Sequence, residues 1–512
     1  MNKLRLLDGI VIFVYMAAMV MIGRWFARRQ TSTEAYFVAK RSIPAWAMGV
    51  SIYAALISSI TFIAYPGDAY AGNWVGLVPG FMVVIVLIFV GAVIIPFFRH
   101  AVGMSAYEYF EKRFGYGVRA YSAFAFAMGH FSKMGFVFFT TALTVSTMTG
   151  WNIYVVIVAT GAVTVYYTVI GGLEAVIWTD VIQGFIKVFG IIVCIGTLAY
   201  LMPGGLSAAF HLAAENHKFD LGVPDWDFTK KTSVWVMIFY GTFWYLQKYS
   251  ADQTLVQRYL VAKTDRDALK GVALGALLCI PAWALFLLIG TLMWAYYRLS
   301  GDVLPPEVAK SSDKVFPYFL STKVPAGLAG LFMSSLFASA MAMLSSDLNC
   351  LSVVAVEDYY RRLKPEATDK QRLAMGKLII GLCGAAAVGV AAIIGWKSER
   401  VLSIYFTASS IVAGGLAGLF LLAFLCPRAN REGAYCGIAA CLLFTTYATL
   451  TSGKDHVLDF GAWNFKWAGV MIGVIAHLVL FGVGYVASYA FPATDARPLT
   501  LWGWLDRRKT EQ

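Results

Sequence analysis

The sequence predicts an all-α membrane protein, folded as one polytopic bundle, and three observations carry that expectation. Only 14% of the 512 residues are charged, against 59% hydrophobic, whereas a soluble domain carries about a quarter charged residues. Thirteen apolar segments approach or exceed the ~20 residues that a helix needs to cross hydrocarbon. Lysine and arginine also crowd alternate connections, the bias that orients membrane helices.

The segments lie near 6–27, 45–66, 76–98, 117–147, 151–170, 176–202, 233–250, 270–297, 325–350, 374–395, 402–425, 434–452 and 467–490. The first is too long for the apolar core of a cleaved signal and lacks a small-residue cleavage site. It reads as a leading helix, followed by two five-helix sets, 45–202 and 233–425, and two additional helices, 434–490. The longest gaps, 203–231 and 298–324, are loops bearing Pro, Gly and charge. Arg24, Arg28, Lys40, Arg41, Arg99, Lys112, Arg113, Arg258, Lys263, Arg361 and Arg362 all fall on one side if the N-terminus is outside, which puts the C-terminus in the cytoplasm. The net charge of +12 is then topological, and nucleic acid is not an expected partner. The expected partners are the lipid bilayer and a small solute, with no obligate protein partner. The expected location is a bacterial inner membrane.

Two spans carry interruptions. Ser58, Ser59 and Thr61 sit mid-span before Pro66-Gly67, and the run from Tyr240 to Leu260 places Gln247, Lys248, Ser250, Asp252 and Gln253 at or near membrane depth. Broken first helices at matching positions of two halves are the mark of an inverted-repeat transporter with a site near the midplane. Unwound backbone survives there only where it lines a cavity or holds an ion.

Ionisable residues within spans cost ~2.5–3.5 kcal/mol each on the insertion scale, so they are functional candidates by default. Asp180 and Asp347, with the hydroxyls of Ser345 and Ser346, form an oxygen-rich set suited to a small alkali cation; Asp180 capping a helix beside Thr179 is the competing structural reading. Lys133, mid-span, and Lys248, in the interrupted span, are candidates to meet an anionic solute or a protein carboxylate. Lys187 reads as a lysine reaching for the interface. Asp68, beside Pro66-Gly67, either gates an outer mouth or is solvated. Trp74, Trp244, Tyr245 and Tyr249 either stack on a sugar or pack. Seven cysteines without a CxxC pair read as small apolar residues. There is no HExxH, P-loop or GxSxG, so no enzyme is expected.

Several runs resemble the sodium/solute symporter family: Gly171 to Gln183 (GGLEAVIWTDVIQ), Asp252 to Tyr259 (DQTLVQRY), Arg41 to Trp46 (RSIPAW), Ser58 to Phe62 (SSITF), and Leu348-Asn349 followed by Val356 to Tyr359. Ser105 to Phe114 (SAYEYFEKRF) is similar to the bacterial sialic-acid branch. The resemblance implies a leucine-transporter-type fold with an inverted five-helix repeat and about 13 spans. It also implies alternating access and sodium-driven uptake of sugars, carboxylates or amino acids.

The resemblance further implies a main sodium site on the backbone carbonyls of Ala54, Ile57 and Ser339, completed by two hydroxyls. Those two positions hold Ala342 and Met343, which have no oxygen to offer. The second site of the sialic-acid branch matches Asp180, Ser345 and Ser346, with Asp347 as an added carboxylate, so one Na+ is expected. Ser58, Ser59, Thr61, Lys133, Lys248, Tyr249 and Gln253 form the expected solute set. Lys133 stands where the branch has arginine. The solute expected from this set is an acidic sugar or another small carboxylate. Two further readings stay open: a proton-coupled or uncoupled carrier, in which Asp180 and Asp347 share a proton, and a solute sensor on a transporter scaffold.

Overall fold

A computed structural model describes residues 6–396, 412, 414–453, 457–492 and 496–510. Among them all regular structure is helical, apart from isolated bridges. Eight of the described helices are long and apolar enough to cross a membrane, or nine if the bent pair Ala45–Leu56 and Ser59–Ala71 is one span. The first half of the segment expected at 402–425 lies outside the described residues, and its second half is the helix Leu416–Leu425. The segments 151–170 and 176–202 form one run, Ile153–Leu201, of 49 residues. At 1.5 Å per residue that is about 74 Å, more than twice a hydrocarbon core, and the run is bent within.

The bend is at Gly172, with φ 59 and ψ −164, a combination open to essentially glycine alone. A Cβ there would lie 2.7 Å from Tyr36 Cδ2 and 2.9 Å from Tyr36 O. Tyr36 earns its place by donating its hydroxyl to the Val169 and Thr168 carbonyls, at 2.8 and 3.2 Å, which closes the end of the first half-helix.

The first predicted interruption is present. Ala45–Leu56 ends on extended backbone at Ile57, and Ser58 restarts the chain as an N-cap whose Oγ accepts from Thr61 N at 3.4 Å, the role in which serine is favoured. The two pieces meet at 60°. The second interruption follows the same logic. Val234–Ser250 stops, and Asp252 caps Gln253–Leu260 by accepting from Thr254 N at 2.9 Å.

Small residues let these pieces pack closely, as helices do in lipid. Gly184 gives way to Val50 and Tyr53 of Ala45–Leu56, where a Cβ would come within 2.9 Å of Val50 Cγ1. Gly190 gives way to Ser335 of the helix Leu328–Val354. That helix also packs against both pieces of the bent pair, so the first break is enclosed from two sides.

The C-terminal end of Ser59–Ala71 is closed by a loop lysine. Lys218 donates to the carbonyls of Ala69, Tyr70 and Gly72 at 3.2, 2.8 and 2.8 Å, and its ammonium lies 4.8 Å from the Trp294 ring centre. Burial, with a smaller push from the Arg298 charge, brings this lysine down to about 8. Asp68, in the last turn of the same helix, is exposed, which favours the solvated reading.

Candidate functional site: two helix breaks and their buried charges

The long helix Ile153–Leu201 turns one stripe toward the first break. Asp180, Gly184 and Lys187 are spaced by four and three residues, so they share a face. Asp180 and Lys187 are both fully buried.

Asp180 meets a guanidinium. Its Oδ2 accepts from Ser51 Oγ at 2.6 Å and from Arg258 Nη2 at 2.9 Å, and Arg258 Nε donates to Ser51 Oγ at 3.0 Å. Arg258 also donates to Ser346 Oγ, and to Thr254 O at 2.7 Å. Arginine suits such a node because its planar fork serves several acceptors at once. Asp180 Oδ1 is buried, and among the described residues it has no hydrogen-bond partner; the same is true of Gln183 Oε1 and Ser339 Oγ. A buried carboxylate oxygen of Asp180 therefore remains free to accept a cation.

The carbonyls expected to hold a sodium ion hold an ammonium instead. Lys187 Nζ donates to Ala54 O at 2.5 Å and to Ile57 O at 2.9 Å. Lys187 therefore does not reach for the interface. It fills the first break, because a buried ammonium needs acceptors and the interrupted helix supplies two. With Ala342 and Met343 at the two hydroxyl positions, this arrangement does not fit a bound metal ion beside the lysine.

A second cluster sits at the second break. His130 Nδ1 lies 2.8 Å from Asp347 Oδ1, and its Nε2 lies 3.1 Å from Asp252 Oδ2. Lys133 Nζ pairs with Asp347 Oδ2 at 3.0 Å, and Lys248 pairs with Asp252. Phe126 covers the imidazole, with ring centres 4.1 Å apart. His130, Lys133, Lys248 and Asp252 line a cavity of about 170 Å³, which Trp244 and Gln247 also border. The side chain of Lys133 keeps 29% of its surface exposed, the most of the five ionisable groups. His130 thus bridges the two carboxylates through its two ring nitrogens, while Lys133 and Lys248 each pair with one of them.

The structure redistributes the residues expected from sequence. Asp347 does not join Asp180; it belongs to the His130 cluster. The two carboxylates engage different cations, which leaves the shared-proton idea without its geometry. Ser346 touches Arg258, while Ser345 Oγ donates back to Ala342 O at 3.2 Å. Ser58 and Thr61 cap the bent helix, and Ser59 accepts from Thr141 Oγ1 at 3.0 Å; none of the three lines the 170 Å³ cavity. Gln253 is a structural tie, with Oε1 accepting from Ala106 N at 2.8 Å and Nε2 donating to Met104 O at 2.7 Å. Tyr249 is fully buried beside Tyr245.

Sequence reasoning missed His130 as a site residue and treated Arg258 as a loop charge. The signal for His130 was its i,i+3 spacing from Lys133 in an apolar span. Arg258 was legible only in part: it is buried on a helix, Gln253–Leu260, whose residues are all buried.

Comparison with known proteins agrees with this architecture. The profile of the sodium:solute symporter family matches residues 36–440. The chain is 30% identical to the sodium/sialic acid symporter NanT of Aliivibrio fischeri, over 95% of this chain and 93% of that protein. It is 31% identical to the sodium/sialic acid symporter SiaT of Proteus mirabilis, over 92% and 93%. The solved substrate-bound outward-open state of a Na+-coupled sialic acid symporter superposes with a TM-score of 0.87 at 29% identity, covering 96% of this chain and 99% of that one.

Proposed function

The chain belongs to the sodium:solute symporter family, and from that premise we propose that it carries an acidic sugar, of the sialic-acid kind, or another small carboxylate. It is a multi-pass membrane transporter, not an enzyme, and couples solute movement to sodium by alternating access. The observation that carries the substrate reading is the cavity at the second break, where Lys133, Lys248 and His130 face only Asp347 and Asp252. Two ammonium groups beside one small cavity match the carboxylate of a solute, and Lys133, the most exposed of the five groups, is its first contact. Both relatives named above are sialic acid symporters, which supports the same reading.

The cavity of about 170 Å³ is below the ~300 Å³ of ordinary small-molecule sites. A sugar acid therefore enters as the wall made by Val234–Ser250 moves outward from Tyr116–Thr149. One sodium ion is proposed to accompany it, held on the Asp180 side by Oδ1 of that carboxylate with help from Ser345 and Ser346. The two halves of the cycle are proposed to be the repeats 45–202 and 233–425, in a bacterial inner membrane with the N-terminus outside and the C-terminus in the cytoplasm.

The test is uptake of radiolabelled N-acetylneuraminate into proteoliposomes under an inward sodium gradient. Accumulation that collapses without sodium, and that glucose does not compete away, is the expected result. Uptake indifferent to sodium removes the coupling, and competition by glucose but not by glucuronate removes the anionic solute.

A further inference from the structure

We propose that Lys187 is the resident cation of the first helix break, so that a protein-borne ammonium, and not a sodium ion, neutralises the open carbonyls of Ala54 and Ile57 in the working transporter. The inference rests on the break being part of the transport machinery, and it says what fills that break.

Breaking Ala45–Leu56 from Ser59–Ala71 leaves two carbonyl oxygens with no next turn to satisfy them. Among the described residues neither Ala54 O nor Ile57 O accepts a backbone N–H, and Thr61 N, which a continued helix would bring to Ile57 O, turns to Ser58 Oγ instead. Buried acceptors of this kind demand a donor or a cation. Lys187 reaches both from the neighbouring helix, at 2.5 and 2.9 Å, with no exposed surface of its own.

The surroundings suit a tethered charge better than a free ion. A sodium ion needs a shell of hard oxygen ligands, whereas an ammonium is satisfied by directional acceptors, and two are in place. Positions 342 and 343 are Ala and Met. The approach of the lysine is built in. Gly184, one turn before it, removes the side chain that would hold the two helices apart at Val50. The nearby ionisable groups are Asp180 on the same helix, Arg258 from Gln253–Leu260 and Cys279 from Asp265–Leu299. Asp180 is already engaged by Arg258, so Lys187 is not simply the partner of that carboxylate. Its contacts are the break itself.

The experiment counts bound sodium on the purified full-length protein with 22Na+, needing no solute. Wild type binds at most one equivalent, at Asp180. The triple variant Lys187→Ala/Ala342→Ser/Met343→Ser, which removes the tether and supplies two hydroxyls beside the open carbonyls, binds one equivalent more, and sodium raises its Tm more than choline does. A wild type that binds a sodium which the triple variant loses overturns the proposal, as do equal counts in two monodisperse proteins. Should the triple variant not fold, a cryo-EM map of wild type in high sodium decides: an ammonium seated on both carbonyls supports the proposal, and a sodium ion there with Lys187 swung aside refutes it. A wild type that binds no sodium, with one equivalent in the triple variant, leaves this inference standing and removes the sodium site at Asp180, so the two failures are distinguishable.

Discussion

Arg258 closes on Asp180 across 78 residues of sequence, Nη2 to Oδ2 at 2.9 Å, with side-chain exposures of 1% and 0%. The pair ties the helix after the second break to the long helix beside the first. Removing one partner strands the other charge in a low-dielectric interior, which costs about 3–5 kcal/mol, whereas replacing both by apolar residues is often neutral. Asp180→Leu and Arg258→Met are therefore expected to lower the Tm strongly as single variants and to recover most of the loss when combined. Thermal unfolding in detergent checks this, and a double variant as unstable as the sum of the singles would show that the two do not act as a pair. Sodium-stimulated uptake should be absent from every variant lacking Asp180.

Lys133 is the proposed first contact of the solute carboxylate. Lys133→Met should weaken N-acetylneuraminate binding about 10- to 100-fold, since a hydrogen bond to a charged group contributes ~1.5–3 kcal/mol and each 1.4 kcal/mol is tenfold. Lys133→Arg, with a planar fork for a carboxylate, should restore or improve it. Calorimetric titration measures both, and unchanged affinity in Lys133→Met would move the carboxylate site elsewhere.

Gly172→Ala should destabilise the fold at a position away from the cavity. The backbone conformation alone costs about 1–3 kcal/mol for a residue with a side chain, and the added carbon meets Tyr36. The expected result is a lower Tm with solute affinity retained in the folded fraction. A Tm equal to wild type would mean that the bend relaxes without cost.

Lys218 gives the alkaline side of the stability profile its slope. Its folded value of about 8 lies below the ordinary lysine value of 10.5. Between those limits the unfolded chain keeps the proton and the folded chain releases it, so stability rises with pH there. Below pH 8 both states are protonated and the contribution is flat. Between pH 8 and 10, wild type is therefore expected to gain Tm relative to Lys218→Met. Parallel curves for the two proteins would count against a depressed lysine at this loop.

Both helix breaks were legible in sequence because they arise from local chemistry: a serine run that caps, and an aspartate that restarts a helix. Asp180, Asp347, Lys133 and Lys248 were legible as charges in the wrong solvent. Their partners were not, because a pairing such as Lys187 with Ala54 O joins residues 133 apart and depends on which faces two helices present. Gln253 shows the converse. Its position beside the interruption suggested solute contact, yet both ends of its amide are spent on the Met104–Ala106 backbone. Polar residues near a break are as readily claimed by the loops the break exposes as by a passenger.

An ion borrowed from solution can be diluted, competed for or exhausted, whereas a charge attached to the polypeptide is always at hand. With Lys187 stationed between Ala54 and Ile57, occupancy of that post would not follow the salinity of the medium. Each trip would draw on a shorter purse of imported ions, trading steep accumulation for operation where salt is scarce.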